Sequence, residues 1–272
     1  MMGLQNDSAL NCTTPPWWQR KSSWTSILVG ILLFVSLSHA QALLLGIKRS
    51  LIGYVLPSFM GLLSGLLVAI LWHRLQTKKE KEKIFFLQLV EVLAVALDER
   101  DKYTHGHARR VTTISLQIAT AMRFGFHEME ILRLSGILHD IGKIGIPDTV
   151  LLKPGKLSRE EFALIQEHPE KGRRILSQIR NELIDKIADI IRYHHERYDG
   201  KGYPDGISGK DIPLFSRIIA VADSYDAMTS DRPYRKGMDK KIAIGKIRNG
   251  AGTQFDPEIV SIFIDLYEKP EN

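Results

Sequence analysis

With 272 residues, the chain can hold one good-sized domain and an appendage. Its one cysteine, Cys12, excludes an intrachain disulfide and any cysteine-built zinc site. The net charge of +6 does not mark a nucleic-acid polymer binder, because the excess sits at one end: residues 1–80 hold seven Lys/Arg against two Asp/Glu, and residues 81–272 are close to balance, thirty against twenty-nine.

Residues 1–24 read as a polar tail, with Pro15, Pro16, Trp17 and Trp18 near a membrane interface. Ser26–Ile47 and Leu51–Trp72 are apolar runs of about 20 residues, each long enough as helix to cross a ~30 Å hydrocarbon core. Only Lys48, Arg49 and Ser50 separate them, so residues 25–73 are expected to form a two-helix transmembrane hairpin. The first run is too long for the core of a signal peptide, and a second span follows at once. His39, inside it, reads as a polar residue packed on the second helix. Arg20 and Lys21 precede the pair, and His73, Arg74, Lys78, Lys79, Lys81 and Lys83 follow it. This bias favours a two-pass protein of the inner (cytoplasmic) membrane with both termini in the cytoplasm. An outside signal would then be read within the membrane itself.

Residues 74–100 form a charged linker helix, from Lys78-Lys79-Glu80-Lys81-Glu82-Lys83 into a helical pattern over Ile84–Glu99. Such a helix suits signal transmission or homodimer formation; packing on its own domain is equally consistent with the pattern. Beyond residue 100, helices alternate with short polar breaks. They are expected over His107–Phe124 and Met129–Leu138, then from the Ser158/Glu161 capping box to about Ile179. Further helices follow over Leu183–His195, Ser216–Met228 and Lys240–Arg248, and from the Asp256-Pro257 cap to Tyr267. No strand alternation is sustained, so the soluble part is expected to be one all-α domain.

The chemistry centres on Leu138-His139-Asp140-Ile141-Gly142-Lys143. Neighbouring side chains on a helix diverge by about 100° and reach one centre only where the helix ends, which Gly142 would allow. An imidazole beside a carboxylate suits a divalent transition metal, and Lys143 adds a cation able to meet a phosphate oxygen. Taken alone, the run also fits an ordinary helix C-terminus. His107, His168, His194 and His195 join His139, however, and Asp223 ends the apolar run Ile218–Ala222, where a charge is costly without a partner. Five imidazoles and two carboxylates suit iron, manganese or zinc better than magnesium or calcium. His105 and His127 read as ordinary polar residues.

The motifs come in a distinctive order. Thr104-x-x-His107-x-x-Arg110-Val111 is followed by His139-Asp140-Ile141-Gly142-Lys143, His168-Pro169 and His194-His195-Glu196-Arg197. Then come Asp199-Gly200-Lys201-Gly202-Tyr203-Pro204, Ala222-Asp223 and Asp231-Arg232-Pro233-Tyr234-Arg235. Over residues 85–268 this closely resembles the HD-GYP family of HD metal-dependent phosphohydrolases. The resemblance implies an HD-type helical fold and a phosphodiesterase that hydrolyses cyclic di-GMP to pGpG and onward to GMP. It implies two divalent ions, iron or manganese, held by His107, His139, Asp140, His168, His194, His195 and Asp223, with Asp140 bridging. His139, Asp140 and Lys143 would then be catalytic. Lys143 would meet the scissile phosphate, Tyr203 would lie near the substrate, and Arg232 and Arg235 would take its phosphates. Family members that hold a third metal carry a glutamate where this chain has Tyr103, so two ions are expected. A phosphohydrolase for another nucleotide, or a module that binds a cyclic dinucleotide or a partner without turnover, is the alternative.

Overall fold

The computed structural model describes residues 21–46, 50–100, 106–231 and 236–268. The chain divides into two compact units, residues 1–87 and 88–272.

The first unit holds helix α1 (Lys21–Leu44), a 3-10 turn (Leu51–Tyr54) and the larger part of helix α2 (Val55–Arg100), whose residues from 88 on belong to the second unit. Glycine lets α1 and α2 touch backbone to backbone. A Cβ on Gly30 would overlap the Gly61 carbonyl and crowd Gly65, and one on Gly61 would overlap Ile31. Apolar side chains such as Leu32, Leu37, Leu56, Phe59 and Leu67 face outward. Among the described residues one helical stretch, Val55–Glu82, is long and apolar enough to cross a membrane, with 28 residues and mean hydropathy 2.1. The hairpin expected from sequence is therefore matched in one span. Within the 24 residues of α1, the described apolar stretch is Leu28–Leu44. His39 does meet the second segment, its Nδ1 lying 2.6 Å from the Tyr54 hydroxyl. Residues 74–100 are helical and continue α2 without a break.

The second unit is built from helices α3 (His107–Ala121), α4 (Phe126–Leu138), α5 (Asp148–Leu151), α6 (Arg159–Gln166), α7 (His168–Leu176) and α8 (Glu182–Arg192), then α9 (Leu214–Thr229), α10 (Lys240–Asn249) and α11 (Pro257–Tyr267). There is no strand among the described residues. Helix α3 packs on α4 and α9, α7 on α8, and α10 and α11 on α9. On α8, Ile184, Ile187, Ala188 and Ile191 repeat at helical spacing and are all buried. They join Ile118, Ile131, Leu132, Ile218, Ile219, Ile247 and Phe263 in the core. The expected caps are present: Ser158 and Glu161 cap each other reciprocally, and Asp256 caps α11. The single helix expected from Ser158 to Ile179 is two, broken at Glu167, because Pro169 has no N–H to continue α6 and instead opens α7.

Candidate metal centre

Three histidines sit where helices end. His139 caps α4, with Nδ1 2.8 Å from the Gly136 carbonyl. His168 follows α6, with Nδ1 2.7 Å from the Ile165 carbonyl, and His194 follows α8, with Nδ1 2.5 Å from the Ile191 carbonyl. In each case the partner lies three residues back, among the carbonyls that a helix C-terminus leaves unpaired. A carbonyl only accepts, so Nδ1 carries the hydrogen and Nε2 keeps its lone pair. His107, at the start of α3, likewise directs its Nδ1 hydrogen to an acceptor, here a carboxylate: Nδ1 lies 2.7 Å from Asp226 Oδ2. All four imidazoles are buried.

Their Nε2 atoms converge on Asp140. Oδ2 of Asp140 lies 3.4 Å from His139 Nε2 and 3.7 Å from His107 Nε2, while Oδ1 lies 3.3 Å from His168 Nε2. The nitrogens of His168 and His194 are 3.4 Å apart. Two groups emerge, Asp140 with His168, His194 and His195, and Asp140 with His107 and His139; within each, the ligand atoms lie inside 4.8 Å of one another. Asp223 adjoins the second, its Oδ1 3.2 Å from His107 Nε2. All seven residues singled out as ligands thus meet in one place. Asp140, His195 and Asp223 are partly exposed and form the open side. Lys143 stands beside them, with Nζ 2.7 Å from Asp140 Oδ2.

Gly142 serves a purpose other than the helix cap expected of it. After α4 the chain enters a 3-10 turn, Ile141–Gly145. A Cβ on Gly142 would overlap the His168 carbonyl and the Gly172 amide. Glycine lets this turn lie directly on α7, which brings His139 and Asp140 to His168.

Electrostatics divide the imidazoles. Burial and neighbouring imidazoles push His194 far down, and burial takes His195 to about 3, so both stay neutral as metal binding requires. Burial works against charge at His107 too. Hydrogen bonds to Asp223 and Asp226, with the nearby Asp140, outweigh it and raise His107 to about 10. In Asp140, burial opposes ionisation, but Lys143, His139 and His168 hold the carboxyl well below its usual range. The Nε2 of His139 is buried without any hydrogen-bond partner. An orphaned lone pair of this kind is costly unless something electrophilic occupies its front. Together with the anionic charge of Asp140 and Asp223, it fits divalent metal ions.

The Gly-Tyr-Pro loop closes over this centre. Tyr203 stacks on His195, with ring centroids 4.9 Å apart, and its N–H donates to the His195 carbonyl. Burial, reinforced by Asp223 and Asp140, pushes its phenol up, so it remains a hydrogen-bond donor. Glu196 is buried beneath the loop and accepts the Asp205 and Gly206 amides at 2.7 and 2.9 Å. Arg192 pairs with Asp205 on the loop and Glu170 on α7. Sequence reasoning assigned no part to Asp226, Glu196 or Arg192. Asp226 had one legible signal: it lies three residues after Asp223, on the same face of an apolar helix. Arg232 and Arg235, and Tyr103 at the third-metal position, lie outside the described residues.

A helical domain that gathers imidazoles and carboxylates from separate helix ends around one shared carboxylate, able to hold metal, is a domain of the HD type. The HD domain model matches residues 91–259, and the chain belongs to that family, as a member of its HD-GYP group. It is 41% identical over 182 residues to a cyclic di-GMP phosphodiesterase of Thermotoga maritima, covering 67% of this chain and 50% of that one. It is 34% identical over 182 residues to a 3′3′-cGAMP-specific phosphodiesterase of Vibrio cholerae, covering 67% of this chain and 35% of that one. The crystal structure of a cyclic GMP-AMP-specific phosphodiesterase from V. cholerae shares the fold, with TM-score 0.54 and 24% identity over 67% of this chain and 48% of that one. The chain spans about half the length of these relatives, or less.

Proposed function

We propose that this protein is a metal-dependent phosphodiesterase that opens cyclic di-GMP to linear pGpG and onward to GMP. The observation that carries the reading is Asp140, whose two oxygens face two separate groups of imidazoles. His107, His139, Asp140 and Asp223 would hold one divalent ion, and His168, His194 and His195 with Asp140 a second. Iron or manganese suits these donors. Bound there, such ions supply Lewis-acid charge and acidify water toward neutrality. In the net reaction water adds to phosphorus, the bond to the ribose 3′-oxygen breaks, and that oxygen leaves with a proton. Lys143 presents its ammonium to a non-bridging phosphate oxygen as charge develops, and the protonated Tyr203 phenol donates to the substrate from its place beside His195. Arg232 and Arg235 would hold the outer phosphate.

The relative in V. cholerae named for 3′3′-cGAMP supports a second substrate reading, since both molecules share the ring of two 3′–5′ phosphodiesters. Protein purified without oxygen, analysed for metal and assayed with Mn²⁺ or Fe²⁺ on both cyclic dinucleotides, separates the two. A module that binds without turnover would give no product on either. The double variant His139→Ala/Asp140→Ala should lose hydrolysis and bound metal together; wild-type turnover by it would falsify the scheme.

The first unit reads as a membrane hairpin with the catalytic domain in the cytoplasm. Its support is the outward apolar surface of α1 and α2 and their close crossing at Gly30, Gly61 and Gly65, the kind of small-residue contact by which helices associate in lipid.

A further inference from the structure

The last residue of α2 grips the turn that carries Lys143. Arg100 Nη1 donates to the Lys143 carbonyl at 2.8 Å, and Nη2 donates to the Ile146 carbonyl at 2.7 Å. Nη2 and Nε both reach Asp148 Oδ1, at 2.7 and 3.1 Å. The Lys143 carbonyl also accepts the Ile146 amide, which closes the 3-10 turn. Arg100 therefore spans the exit of the turn, from its central peptide to the first residue of α5. On its other side the turn rests on α7: Gly142 lies against His168 and Gly172, and Lys171 Nζ donates to the Gly145 carbonyl at 3.0 Å. Held between these two supports, the Lys143 side chain reaches back along the turn to Asp140 Oδ2 at 2.7 Å.

The choice of residue follows from geometry. Two carbonyls and a carboxylate fanned around one planar group match a guanidinium; a lysine at position 100 could satisfy only part of the set. The ion pair alone would contribute little, because Asp148 is 65% exposed and water screens it. The backbone carbonyls are the partly buried partners, and they belong to the peptide whose side chain faces the metal centre.

We infer that Arg100 is a positioning residue: it fixes the Lys143 peptide so that the ammonium meets the scissile phosphate, and so ties that ammonium to the end of α2. The inference rests on the phosphodiesterase reading of the metal centre. A rotation or axial shift of the α2 terminus would reach the backbone of Lys143 through two hydrogen bonds, without moving any metal ligand.

The test uses the purified full chain with Mn²⁺ and cyclic di-GMP. Arg100→Ala should lower kcat about tenfold, as a misplaced charge does, with KM and metal content within about twofold of wild type. Arg100→Lys should recover part of the loss, and Asp148→Ala, which spares the carbonyl bonds, should stay within about twofold. The deciding measurement is the double variant. If Arg100 acts through Lys143, Arg100→Ala/Lys143→Ala is no slower than Lys143→Ala alone. Losses that multiply, wild-type kcat in Arg100→Ala, or loss of metal from it would each overturn the inference. Hydrogen exchange at the Lys143–Ile146 amides reads the same contact without turnover: it should quicken in Arg100→Ala and not in Asp148→Ala. Unchanged exchange sinks the positioning role, whereas an inactive wild type with the exchange pattern intact sinks the phosphodiesterase reading.

Discussion

Asp226 shows how much of the centre depends on a residue outside the proposed ligand set. It accepts from His107 Nδ1 and is itself gripped by Arg110, with Nε 2.6 Å from its Oδ1. The carboxylate holds the imidazole in one tautomer and raises its basicity, while Arg110 keeps the carboxylate in place. Asp226→Ala should weaken metal binding by about 10–100-fold, measured by Mn²⁺ titration of chelated protein, with the helix content unchanged. The proposed ligands were legible because five histidines and two aspartates recur in a recognisable order. Asp226 offered only its spacing from Asp223, since an aspartate one turn along a helix looks like a solvated face until its burial is known. Glu196 was hidden for the same reason. The paired shifts at His107 and His195 give a pH signature for the metal-free protein. His107 goes from 6.5 to about 10 on folding, so its contribution is complete below pH 6.5 and is lost as pH rises through 10. His195 goes from 6.5 down to about 3, so its contribution is complete above pH 6.5 and is lost as pH falls toward 3. The depressed Asp140 and Asp223 add to the acid-side loss. Thermal midpoints of chelated protein should peak near pH 6.5. Added Mn²⁺ should flatten the alkaline limb, because the metal takes the place of the His107 proton. A limb unaffected by metal would separate His107 from the centre.

Among the elements, the ends matter more than the helices themselves. Three of the imidazoles are placed by the same device, a ring N–H closing on a carbonyl of the last helical turn. The fold thus turns the unpaired end of a helix into a way of aiming Nε2. The apolar periodicity of α3, α4, α8 and α9 was readable along the chain, and the caps at Ser158 and Asp256 marked two starts correctly. The break between α6 and α7 was harder to read, because the pattern of apolar positions continues across it and only Pro169 interrupts the hydrogen bonding. Gly142 looked like a helix stop for the same local reason, whereas its need for a bare Cα comes from α7, 26 residues further on. Gly142→Ala is therefore expected to cost about 1–3 kcal/mol of stability, as overpacking does, and to release metal in step with the loss. Urea unfolding with metal analysis checks this. A helix-cap role alone would lower stability without changing metal content in the folded fraction.

At the scale of the whole chain, the proposed membrane hairpin predicts which side of the bilayer each segment faces. Apolar side chains face outward on both α1 and α2, a surface that water penalises at roughly 25 cal/mol per Å² and lipid does not. The close glycine crossing argues that α1 goes wherever α2 goes, because separating them would expose two backbones shaped to each other. A hairpin puts the N-terminal tail on the same side as the domain, and a single crossing puts it on the opposite side. Cys12, the chain's one cysteine, lies in that tail and makes the distinction measurable without engineering. In intact spheroplasts a membrane-impermeant maleimide should leave Cys12 unlabelled and should label it after permeabilisation. In a Cys12→Ser background, Ser50→Cys between the two helices should behave the opposite way. Labelling of Cys12 from outside would leave α2 as the one crossing and α1 lying on the outer surface, with its apolar side chains still in need of cover.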